Sequence, residues 1–91
     1  MAIENKIPSK SPQTASRIVD GEAVIVLLKK SRVHVLNEVG SRIWELSNGK
    51  RSIKKIADTI FKEFKVTKKK ALKDTTEFVK SLTKKEMLTL K

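Results

Sequence analysis

The hydrophobic period of this chain changes at Asn37. Before it, apolar residues sit in short β-branched runs; after it, they recur three and four apart. The sharpest helical stretch is Ile53, Ile56, Ala57, Ile60, Phe61 and Phe64, which fills one helix face without a gap. Ser52 stands at its capping position. A shorter helix precedes it, capped by Asn37 and with Glu38 near its positive end. Val39, Ile43 and Leu46 mark its inner face, with Trp44 beside them. It stops at Ser47-Asn48-Gly49, where Gly49 can turn left-handed. Thr67 caps a third helix, with Ala71, Thr75, Phe78, Val79 and Leu82 facing inward and lysines around them.

Upstream, Glu22 to Lys29 is apolar on both faces, as a central or doubly covered strand would be. Thr14 to Val19 precedes it across an Asp20-Gly21 turn. Arg32 to Leu36 follows across Lys29-Lys30-Ser31 and pairs with it antiparallel. The order predicts an α+β domain of winged helix-turn-helix type, a three-stranded antiparallel sheet followed by three helices. The second and third helices, joined at Lys65-Val66, form the helix-turn-helix pair. Residues 1–13, polar and carrying Pro8 and Pro12, read as a flexible N-terminal tail; residues 14–91 form the domain. Met87 to Leu90 is a short apolar end that covers the sheet or extends the helix.

At 91 residues the core is thin, with no room for a cleft between two domains. With no cysteine and one histidine, disulfides, thiolate metal sites and most acid–base dyads are excluded. The ten carboxylates show no metal-ligand spacing, and three scattered glycines make no phosphate loop. No enzyme and no cofactor are expected. The longest apolar run, Ala23 to Leu28, is too short to span a bilayer, and no secretory signal opens the chain. The expectation is a cytoplasmic protein without a membrane partner.

The net charge is +11, with fourteen Lys/Arg against five acids in residues 47–91 and seven against five before them. That imbalance points to an anionic partner, nucleic acid or an acidic peptide. The third helix has no Arg, Asn or Gln from Thr67 to Lys85, so it is poorly equipped to read bases. Sequence-specific nucleic-acid binding is therefore not expected, although a small basic winged-helix DNA-binding protein is the competing reading. Arg32 to Leu36 lacks proline. It is either an internal strand paired with Ile18-Val19 or an edge open to a guest strand.

Leu36-Asn37-Glu38-Val39-Gly40-Ser41-Arg42-Ile43-Trp44-Glu45-Leu46 resembles the central signature of the PqqD family. Gly21-Glu22-Ala23-Val24 before it, Gly49 with Ser52-Ile53 and Ile56 after it, and Phe64-Lys65-Val66 agree. The resemblance implies a non-catalytic peptide chaperone, a recognition element for ribosomally made precursor peptides. Such proteins bind the leader segment as an added strand between the third strand and the third helix. They present it to a modifying enzyme, such as a radical-SAM enzyme or a maturation protease, in PQQ, lasso-peptide or related pathways. Carried onto this chain, the strand contacts are Arg32, Val33, His34, Val35 and Leu36, and the helix wall is Lys69, Leu72, Lys73, Thr76 and Lys80. Either face of the strand can line the groove. Ser31 stands where the family often has glycine, and Val33, His34 and Val35 replace rings often found there. The signature itself reads as structural: Ile43 and Trp44 fill the joint between sheet and helices. Gly40 marks a close approach by the second strand or the third helix. A monomer or weak homodimer is expected.

Overall fold

The computed structural model describes residues 2–91. Five strands and three helices follow a short 3-10 turn at Ile3–Asn5: β1 Pro8–Lys10, β2 Thr14–Val19, β3 Glu22–Leu27, β4 Arg32–Val35, α1 Glu38–Leu46, α2 Ile53–Glu63, α3 Lys68–Lys84 and β5 Leu88–Leu90. The expected three-stranded antiparallel sheet is β2-β3-β4, and three helices follow it. Asp20 and Gly21 both take positive φ (51° and 81°), as a tight hairpin with right-handed strand twist requires.

One face of this sheet is the floor of the core. Ala23, Ile25 and Leu27 are buried against Ile43, Trp44 and Leu46 of α1 and the inner stripes of α2 and α3. Trp44 also donates from Nε1 to the Ser16 hydroxyl at 3.0 Å, fastening α1 to β2. The opposite face carries Val24, Val26, Leu28, Val33 and Val35 with no helix over it, so β3 is covered on one side only. Each helix begins as the sequence predicts. Asn37, Ser52 and Thr67 accept from the backbone N–H of Gly40, Lys55 and Lys70. Gly49, after α1, sits at φ 80°.

The two ends of the chain depart from expectation. Instead of forming a loose tail, the N-terminal segment is packed. Pro8, Ser9 and Lys10 pair antiparallel with Leu90, Thr89 and Leu88, making a second, two-stranded sheet. The Lys6 carbonyl accepts from Ile53 N–H at the start of α2, and the Pro8 carbonyl from Gly49 N–H. The Lys10 ammonium reaches the Ser47 carbonyl (3.4 Å) and lies 5.2 Å from the Trp44 ring centre. Partial burial lowers its pKa. The C-terminal residues form β5 rather than extending the helix. Glu86 turns left-handed (φ 64°), Met87 N–H closes back on the Leu82 carbonyl, and Met87 and Leu88 are driven into the core. Polar composition concealed the N-terminal strand because its pairing partner lies 80 residues away.

Candidate functional site

β4 is the last strand of its sheet, paired on one side with β3 in the register Val24↔Val35, Ile25↔His34, Val26↔Val33, Leu27↔Arg32. β2, with Ile18 and Val19, pairs β3 on the other side, so β4 is an edge. Leu36 N–H donates to the Ala23 carbonyl. Backbone groups alternate along an antiparallel ladder, so Arg32, His34 and Leu36 address β3. The N–H and C=O of Val33 and Val35 then point to the unpaired flank. Their side chains are 60% and 63% exposed on the outer face, whereas Arg32 and His34 share the helix side with Leu27 and Ile25. The helix-side face of β4 therefore borders the groove.

Ser41 fixes the far end of this strand. Its hydroxyl accepts from Ala23 N–H at 2.6 Å and donates to the Leu36 carbonyl at 3.2 Å, replacing a rung of the β3–β4 ladder with a buried side chain of α1. The strand thus enters α1 in a fixed direction, with Asn37 as the hinge-side cap.

Two clefts that share Ser81 in their linings lie along α3, one bordered by Arg32 and His34 of β4 and one by Asn37 and the start of α1. One, about 500 Å³, lies between the start of α1 and α3, floored by Val39, Ile43, Ile60, Val66 and Phe78, with Asp74 and Glu77 on its rim. Gly40 lines it, and a Cβ there would meet the Phe78 ring at 3.0 Å and the Asn37 cap oxygen at 3.1 Å. The close approach expected at Gly40 is thus made by the third helix. The other cleft, about 470 Å³, lies between the β3–β4 turn and the end of α3, bordered by Lys30, Arg32, His34, Lys84 and Lys85. Lys30 is held by Glu86 at 2.7 Å, which lowers the Glu86 pKa through hydrogen bonding and charge.

Of the strand positions predicted from sequence, Arg32 and His34 line the clefts, Val33 and Val35 carry side chains on the opposite face, and Leu36 lines neither cleft; the predicted helix wall lies elsewhere. Lys69, Leu72, Lys73 and Thr76 line a shallow depression with Ile3 and Glu4, and Lys80 borders neither cleft beside β4. The inner stripe of α3 has two flanks, and one turns toward β4 while the other turns toward the N-terminal segment. Periodicity defines both flanks equally, and the packing of α3 on α2 and β5 selects Lys70, Asp74, Glu77, Phe78, Ser81 and Lys84 for the β4 side. Phe78, expected on the inner stripe, packs against the core and is half-buried at the cleft. Its place at the margin of the stripe, opposite a glycine in the first turn of α1, was the available signal.

The family model for coenzyme PQQ synthesis protein D (PqqD) matches residues 22–88. Among solved structures, TbiB1 in complex with the TbiA(beta) leader peptide is similar. It has 31% identity and a TM-score of 0.81, over 88% of this chain and 93% of that one. Lasso peptide synthetase B1 complexed with the leader peptide is similar in fold, with 20% identity and a TM-score of 0.81 over 90% and 96% of the two chains. No curated protein matches this chain. The match to the family model spans the sheet's second and third strands, all three helices and the first residue of β5, and on that ground the chain belongs to the PqqD family.

Proposed function

We propose that this chain is a peptide recognition element that binds the leader segment of a ribosomally made precursor peptide. The guest adds as a fourth strand on β4. The observation that carries this reading is the unpaired flank of β4, with a basic cleft bordered by Arg32 and His34 and an apolar cleft at the start of α1 that follows the strand. Natural sheets usually blunt such an edge with proline, bulges or covering elements, and β4 has no proline and keeps regular pairing. Val33 and Val35 supply the backbone donors and acceptors, and side chains of alternate guest residues enter the clefts along α3. The chain performs no chemistry of its own in this reading. It holds the leader while a modifying enzyme, such as a radical-SAM enzyme or a maturation protease, acts on the rest of the precursor. The two similar structures, both solved with a leader peptide, support this assignment.

Two proline substitutions test it. Val35→Pro removes an outward-facing N–H, which an edge strand tolerates. His34→Pro removes an inward rung and unfolds the hairpin. A synthetic leader of about 20 residues, encoded by a neighbouring short reading frame, should shift the amides of Val33 to Leu36 and those of Phe78 and Ser81 in the natural chain. It should give no shifts with folded Val35→Pro. Undiminished binding by that variant would rule out strand addition.

A further inference from the structure

The two clefts beside β4 differ in chemistry. The one at Phe78 is apolar, and the one at the β3–β4 turn is basic. At the basic end, Arg32, Lys84 and Lys85 belong to none of the ion pairs among the described residues, and the nearby Lys30 is already balanced by Glu86. Three cations therefore converge on one small cleft without a partner. Asp74 and Glu77 lie in the middle of α3, on the rim of the apolar cleft, and Asp74 is taken up by Lys70 at 3.2 Å. Ser81 borders both clefts, so one extended segment passes over the two in sequence.

Resting on the leader-binding reading, we propose that the bound segment carries an aspartate or glutamate seated among Arg32, Lys84 and Lys85. A large apolar side chain follows or precedes it in the Phe78 cleft. Strand geometry sets the spacing. Side chains on one face recur every second residue, and each pair of residues advances about 7 Å. Arg32 and the Asn37 end of the groove are separated by five positions, so the two anchors lie an even number apart, about four or six residues. The intervening positions alternate outward, alongside Val33 and Val35. The apolar anchor contributes buried area, and the acid selects among leaders. A lysine or arginine at that point would meet three like charges and be rejected.

The test is selection of a displayed random library of peptides about 12 residues long on the immobilised full chain. Winners should carry Asp or Glu four or six residues from a large apolar residue. Replacing that acid by its amide should weaken binding about five-fold at low salt. In Lys84→Glu/Lys85→Glu the acidic preference should turn basic while the apolar position is unchanged. A Lys54→Glu/Lys55→Glu variant, equal in net charge but on exposed α2 positions, should keep the acidic preference. Winners without an acid, an acidic preference surviving Lys84→Glu/Lys85→Glu, or the same switch in the α2 variant would each overturn the seat while leaving strand addition standing. Winners that bind Val35→Pro equally well would instead overturn strand addition, and the seat with it.

Discussion

In the small sheet, β1 and β5 pair with each other, Ile7 and Lys91 exchange backbone hydrogen bonds beyond them, and Ser9 bridges to Asn48. In the larger sheet, β4 has a neighbour on one side alone. The N-terminal segment is extended and has backbone groups to pair, yet it closes the end of the core where Met87 and Leu88 lie and leaves β4 open. The difference follows from side chains. Pro8 is buried opposite Leu90 of β5, whereas β4 presents an exposed Arg32 and two exposed valines. Closing one edge stabilises the fold, and leaving the other open preserves a place for a guest. Mutations at the two edges should therefore fall on different observables.

The largest effect is expected at the closed edge. Leu88 of β5 is buried, and Leu88→Ala should cost about 2–5 kcal/mol in urea unfolding. Peptide affinity of the fraction still folded should be unchanged. A loss of affinity matching the loss of stability would mean that the two edges are coupled.

Ser41→Ala comes next, at the junction of α1 with β4. It strands the buried Ala23 N–H and should cost about 1–3 kcal/mol. Unlike Leu88→Ala, it should also weaken peptide binding, because Leu36 loses the hydroxyl that fixes the strand's exit. Measuring both quantities on one variant sharpens the comparison, and an unaltered affinity would show that β4 is held by the ladder alone.

The smallest effect belongs to the Lys30–Glu86 pair, which ties the β3–β4 turn to the turn before β5. Glu86 titrates below the ordinary carboxylate range when folded. Its contribution is therefore present above the unfolded pKa and lost as pH falls through the depressed folded value. Both side chains are more than half exposed, so the effect is slight. Urea midpoints of the natural chain and Glu86→Gln should differ a little at neutral pH and converge in acid. A gap that widened in acid would contradict the pairing.

Local chemistry was legible wherever it acts over a few residues. The caps at Asn37, Ser52 and Thr67, the left-handed Gly49, the Asp20-Gly21 hairpin and the gapless face of α2 all form as their residues dictate. The resemblance in Leu36 to Leu46 pointed to the family whose model matches residues 22–88, and that segment joins β4 to α1. Ser41 was quoted within it, but its role in the ladder was not apparent, since its partner at Ala23 is 18 residues away. Ser31 takes φ 50°, the left-handed conformation that glycine would adopt more readily, so the β3–β4 turn keeps its shape without one.

The sequence by itself determined the three helices and the three strands of the larger sheet, where each helix begins, and which stripe of each helix turns inward. These follow from propensity, capping and hydrophobic period, interactions that span a turn or two. Only the tertiary structure decided which flank of α3 looks at β4, which face of β4 borders the groove, and that the chain's ends pair with each other. Those outcomes depend on how a stripe with two equivalent sides is set down on its neighbours, and on burial shared between residues far apart in the chain.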